Sequence, residues 1–163
     1  MNPDISTYLR QMKHPVKSRL FLFIKLPAAF FAGVRVRELD ADKCMVTVPY
    51  KWLSQNPFRS TYFACLSMAA EMSTGALAMA HLYKIDPPVS MLVVGVDSVY
   101  MKKATGRTYF VCEEGKLFQK AIEETIATGE ARIVKAKSVG KNKDGEVVAE
   151  FYITWSFKVK SKK

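Results

Sequence analysis

The chain has 163 residues, 49% of them hydrophobic, with eight Gly and seven Pro, which suits a folded domain with a substantial core and excludes a disordered or collagen-like chain. Its formal charge of +10 raises nucleic acid or membrane as a partner, but much of the excess falls in residues 135–163, including Lys158, Lys160, Lys162 and Lys163, so a solvated basic tail over 158–163 is the simpler reading. A general attraction for anionic ligands, phosphorylated cofactors among them, comes next.

From the N-terminus, residues 1–32 read as a helical packing segment. The stretch 20–33 is apolar but short, is broken by Lys25 and Pro27, and lies behind charged residues, which argues against a signal peptide and against stable membrane insertion. A peripheral membrane contact through LFLFIKLPAAFF, flanked by Lys17, Arg19 and Lys25, is the minority alternative. Val34 and Val36 alternate with Arg35 and Arg37, Asp40-Ala41-Asp42 turns, and Cys44, Val46, Val48 and Tyr50 alternate with Met45 and Thr47: an early hairpin.

Residues 56–83 follow as loop, cap and long helix, with Asn56-Pro57 ending the strand region and Ser60 or Thr61 available as the cap. The helix is apolar nearly all the way round, which predicts a core helix. At 100° per residue Ser60, Ser67, Glu71 and Thr74 fall in one narrow arc, and Glu71 is the only acid on it. An ionised carboxylate costs several kcal/mol to bury without a partner, so Glu71 calls for a structural partner or a chemical task. Beyond Pro87-Pro88 comes MLVVGVDSVYMKKA, a turn over 104–107 and TYFVCEE, then an amphipathic helix over 116–128 ending at Gly129. A strand over 130–139, a turn at 142–145 and strict alternation of apolar residues over 147–159 complete the chain. Neither repeat nor linker divides it, so residues 1–163 are expected to form one α+β domain, an antiparallel six-stranded sheet on one long helix.

The cysteines Cys44, Cys65 and Cys112 are odd in number, widely spaced and set in apolar runs, which favours reduced core thiols and the cytoplasm over disulfides. His14 and His81 have no companions at ligand spacing, and no zinc spacing, phosphate-binding Gly loop or dinucleotide fingerprint is present, so no metal and no separate cofactor is expected. The aromatic residues alternate as core residues do and are not interleaved with the basic ones, which places nucleic-acid binding a distant third.

Trp52, Asn56-Pro57, Ser60, Tyr62-Phe63-Ala64, Ala70-Glu71 and Thr74-Gly75, together with ATGRTYFVCEEG over 104–115, resemble a thioesterase-like hotdog family related to the phenylacetyl-CoA and hydroxybenzoyl-CoA thioesterases. The resemblance implies a sheet wrapped on a central helix, cleavage of an acyl thioester with coenzyme A as part of the substrate, and a site at the interface of a homodimer, with a tetramer left open. In those thioesterases a loop Asn or Gln precedes a His-Gly-Gly at the helix start and an acid two turns further in. Asn56 matches the loop amide and Glu71 the acid, while Tyr62-Phe63-Ala64 stands in place of His-Gly-Gly.

The chemistry follows without the family. Thioester hydrolysis needs donors for the oxyanion, which the backbone N–H groups of Phe63 and Ala64 at a helix start can supply, and a base or nucleophile, which a desolvated Glu71 can supply. At 1.5 Å per residue Glu71 stands roughly 12 Å along the helix from Phe63, too far for both to grip one carbonyl, so a second subunit must contribute one of them. Ser60, Tyr62, Ser67 and Thr74 are candidate substrate contacts, and Lys102, Lys103 and Arg107 candidate partners for coenzyme A phosphates. Each has a plainer alternative. Glu71 can be held by a buried Arg or by Ser67 and Thr74, Asn56 can simply shape the turn, Ser60 can cap, the three cations can be a solvated turn, and Met68, Met72 and Met79 can be core rather than acyl tunnel. A non-catalytic binder of acyl ligands is the second functional expectation.

Overall fold

The computed structural model describes residues 4–161; Lys162 and Lys163 of the basic tail lie outside the described residues. The chain runs α1 (Ile5–Lys13), α2 (Pro15–Lys25), α3 (Pro27–Ala32), β1 (Arg35–Leu39), β2 (Cys44–Val48), a single 3-10 turn (Trp52–Ser54), α4 (Phe63–Leu82), β3 (Val89–Tyr100), β4 (Thr108–Cys112), α5 (Gly115–Thr128), β5 (Arg132–Lys141) and β6 (Val147–Val159). The strands form one sheet in the order β1-β2-β4-β5-β6-β3, every pairing antiparallel.

Alternation on β6 sets the core. Phe151, Ile153, Trp155 and Phe157 point one way and are buried, and α4 lies against that face. Phe110, Phe118, Phe151 and Phe157 are fully buried, each contributing about 1.5–3 kcal/mol of transfer free energy. Small residues on α4, among them Ala69, Ala70, Ala78 and Ala80, are fully buried and let the helix sit close to the strands. α4 is long and apolar enough to cross a membrane, but it is mostly buried within the protein as the wrapped core helix. Gly140 on β5 is a close-approach position: a Cβ there would stand 2.5 Å from Phe110 Cε1.

The two histidines serve the fold. His14 Nδ1 accepts from the N–H groups of Val16 and Lys17 and caps α2, whose first residue is Pro15. His81 is buried with Nε2 2.9 Å from the carbonyl of Ala41.

One local expectation is corrected. α4 begins at Phe63 with Tyr62 as its N-cap, and no side chain caps it. The Ser60 hydroxyl donates to Asn56 Oδ1 and that of Thr61 donates to the carbonyl of Ala104, so both hydroxyls close the preceding loop. Ser60 therefore precedes the helix and leaves the polar arc to Ser67, Glu71 and Thr74.

Candidate active site

The loop before α4 is built around Asn56. Its Oδ1 accepts from the N–H groups of Phe58 (3.0 Å) and Ser60 (3.2 Å) and from the Ser60 hydroxyl (3.2 Å), while Nδ2 reaches the Thr61 carbonyl at only 3.5 Å. The turn-shaping role of Asn56 is thus fulfilled, and its amide N–H groups are only weakly engaged. Two backbone ties fix the end of the loop: Thr61 N–H to the Ala104 carbonyl at 2.8 Å and Tyr62 N–H to the Ser54 carbonyl at 2.7 Å.

At the helix start, the N–H groups of Cys65 and Leu66 turn back to the Tyr62 carbonyl. Those of Phe63 and Ala64 bond to no described group, as the first turn of a helix dictates. Phe63 lines a cavity of about 580 Å³ together with Asn56, Ser60, Tyr62, Lys102 and Lys103, and Ala64 is the next residue along the helix. Lys102 Nζ is paired with Glu146 at 2.6 Å and Lys103 Nζ donates to the Phe58 carbonyl at 3.4 Å. Arg107 lines neither this cavity nor the next; its charge is felt instead at Arg35.

Phe63, Ser67, Glu71 and Gly75 follow at four-residue spacing along one row of α4. Glu71 is half-buried, and its carboxylate meets neither an ion-pair partner nor a hydrogen-bond donor among the described residues; burial alone pushes its pKa above the ordinary carboxylate value. The plainer alternative for Glu71 therefore lacks its partners among the described residues: no arginine pairs with it, and Thr74 donates to its backbone carbonyl (2.9 Å), not to the carboxylate. Thr74 is fully buried and also accepts from Trp155 Nε1 at 2.9 Å, so this residue positions an indole and presents no surface to a substrate. Ser67 is half-buried between Phe63 and Glu71.

The Glu71 carboxylate borders a second, mostly apolar cavity of about 540 Å³, walled by Met72, Met79, Met91 and Trp155 and closed by Tyr8 of α1 and Leu22 of α2. Met72, buried in the core, and the exposed Met79 thus line this cavity, whereas Met68 is partly buried against the core and lines neither. Tyr8, Leu22 and Trp155 are site residues that sequence reasoning missed. Only the bulk of Trp155 in an otherwise aliphatic and Phe-rich strand hinted at it. The three cysteines are free and buried, and burial raises each thiol pKa, which disqualifies them as nucleophiles.

The structure thus brings Asn56, Ser60, Tyr62, Phe63, Lys102 and Lys103 to one cavity and Glu71, on the same row of α4 as Phe63, to another. Donors for an oxyanion and an unpaired carboxylate are both present, separated by two turns.

Several solved structures share this architecture. One is PA5026 from Pseudomonas aeruginosa, a protein of unknown function described as a probable thioesterase, at 18% identity over 92% of this chain and 99% of that one, TM-score 0.76. A second, a protein of unknown function from Chlorobaculum tepidum, has 15% identity over 94% and 99%, TM-score 0.78. The thioesterase HI1161 from Haemophilus influenzae has 11% identity over 87% and 90%, TM-score 0.64. No curated protein matches the chain in sequence. The antiparallel six-stranded sheet wrapped on α4 is the hotdog fold of these thioesterase-like proteins, and the match of residues 17–157 shows that the chain belongs to the family described as a domain of unknown function, DUF4442.

Proposed function

We propose that the protein is a thioester hydrolase acting on acyl-CoA, with its site shared between two protomers. The observation that carries this reading is Glu71: a carboxylate without a partner among the described residues, its pKa raised by burial, at the wall of a mostly apolar cavity. In this mechanism the thioester carbonyl oxygen accepts from the N–H groups of Phe63 and Ala64, assisted by the Asn56 amide. Glu71 of the other protomer takes a proton from water as the new C–O bond forms, the C–S bond breaks, and the proton passes to the departing thiolate. Lys103, at the wall of the cavity that Phe63 lines, supplies positive potential for the phosphates of coenzyme A, and Lys102 adds to it once released from Glu146.

A twofold assembly is supported by β3. This 12-residue strand stands at the sheet edge, paired on one side with β6. Register places Val96 opposite Ile153 and Tyr100 opposite Ala149, so both share the face that the core uses, yet Val96 is 48% exposed and Tyr100 45%. The core face therefore extends past the chain's own α4, and a long apolar edge is an association surface. A second copy placed there would bring its α4 beside the first.

Purified protein offered a series of acyl-CoA substrates should release free thiol, and Glu71→Gln should lower that rate by about 10²–10⁴, the contribution of a general base. Equal rates in both would remove Glu71 from the chemistry. Phe63, which stands where the related thioesterases have a glycine, packs edge to face on Tyr62 at 4.9 Å, and this crowding supports a second reading, a binder of acyl ligands without turnover. Thermal stabilisation by acyl-CoA with no thiol release would select it.

A further inference from the structure

α2 is a helix with its apolar side turned outward. Of its 11 residues Leu22 is buried, whereas Val16 is 67%, Leu20 55%, Phe23 51% and Ile24 61% exposed. At 100° per residue these four exposed side chains span about 100° of the helix surface, and Leu22 lies well outside that arc, on the protein side. Lys17 borders the arc on one edge and Arg19 on the other.

The charge carried by this segment has one sign. From Ile5 to Arg37 the sequence contains Arg10, Lys13, Lys17, Arg19, Lys25, Arg35 and Arg37 and no Asp or Glu. A concavity of about 260 Å³ beside α2 is lined by Lys13, Ser18, Arg19, Arg35 and Arg37 together with apolar residues, again without an acid. Arg35 is held below its ordinary pKa by desolvation and then by the neighbouring charges of Arg19, Arg37 and Arg107, which marks the cluster as positive and not neutralised.

We propose that α2 and the adjacent Arg19–Arg35–Arg37 cluster form a docking face for an anionic phospholipid bilayer. The arc of Val16, Leu20, Phe23 and Ile24 enters the headgroup–acyl boundary, Lys17 and Arg19 extend along its edges to phosphates, and the basic concavity takes a headgroup. Two copies of this face brought together would set like charges against each other, which favours a lipid surface over a second copy as the occupant. The same helix carries Leu22 and Phe21 at the wall of the Glu71 cavity, so docking would set that cavity beside the bilayer. Nothing in this proposal depends on thiol release.

The test is flotation of the full chain with vesicles of equal parts phosphatidylglycerol and phosphatidylcholine, and with vesicles of phosphatidylcholine alone. Binding is expected to the anionic vesicles only and to weaken with salt. Leu20→Asp with Ile24→Asp, and separately Arg19→Glu with Arg35→Glu, should each reduce it by roughly tenfold or more. All four positions are exposed, so the variants should melt with the wild type; Leu20→Ser with Ile24→Ser replaces the aspartates if they do not. Failure to bind anionic vesicles overturns the proposal. So does binding that survives both variants, which would assign it to the basic C-terminal tail, and so does binding sensitive to the charges alone, which would reduce the face to a phosphate site. A change of mass in solution caused by the apolar variant, with vesicle binding intact, would overturn it in favour of a contact between copies.

Discussion

The carboxylate of Glu71 lies 3.2 Å from the point a Cβ would occupy at Gly75, one turn further along α4, and the indole of Trp155 lies 3.3 Å from the same point. Glycine inside a helix costs about 1 kcal/mol relative to alanine, so the missing methyl group is space kept for the acid and the indole. Gly75→Ala should leave the melting temperature unchanged or slightly raised while displacing the carboxylate by a few tenths of an ångström. Thiol release is expected to fall by roughly tenfold, since small misplacements of a reacting group are costly. Full activity in a stable Gly75→Ala protein would show that the position of the carboxylate is not critical.

Burial disfavours the charged form of Glu71, so its native pKa lies above the ordinary value of 4.5. Between that ordinary value and the raised one the native state holds more protons than the unfolded state, and stability must fall as pH rises through the window. Glu71→Gln carries no such penalty. It should melt above the wild type at pH 8, with the difference closing on acidification below the ordinary glutamate range; identical melting at pH 8 would mean the carboxylate is well solvated.

If the exposed core face of β3 is where a second copy sits, Val96→Glu with Tyr100→Glu should give a folded monomer by analytical ultracentrifugation. Turnover should be lost with it, because each protomer then keeps only half of the site. A monomeric wild type, or a monomeric variant with full turnover, would contradict the shared site.

Gly140→Ala tests the packing. The added Cβ would meet the ring of the fully buried Phe110 at 2.5 Å, and overpacking of this kind costs about 1–3 kcal/mol. Chemical denaturation should show that loss with an unchanged m-value.

The fold was largely readable because its signals are local. An all-round apolar run of 20 residues marks a helix that must be covered on every side, and alternation over 147–159 marks a strand with one buried face. Partnerships across long sequence separations were not readable. The Thr61 hydroxyl is taken by Ala104, 43 residues on, and that of Thr74 by Trp155, 81 residues on, so two residues that looked like a cap and a substrate contact turned out to be struts. β3 is apolar on both faces, as a covered strand would be, yet it stands at the sheet edge; its cover is not encoded in its own pattern. Nor does any periodicity reveal that α1 and α2 fold back over Glu71, since that depends on where the sheet places α4.

A mixed dimer tests the shared site most directly. Phe63→Pro removes one N–H at the first helical position, where proline is tolerated, and Tyr62 at φ −61°, ψ 134° already has the extended backbone needed before proline. Alone it should lose about 10²–10³ in rate, as the loss of an oxyanion donor does, and Glu71→Gln alone should be at least as impaired. Co-expressed and allowed to assemble at random, the two variants should recover about a quarter of the wild-type sites, because each mixed dimer of twofold symmetry holds one site with both groups intact. A mixture no more active than its parents would contradict a site built from Phe63 of one protomer and Glu71 of the other.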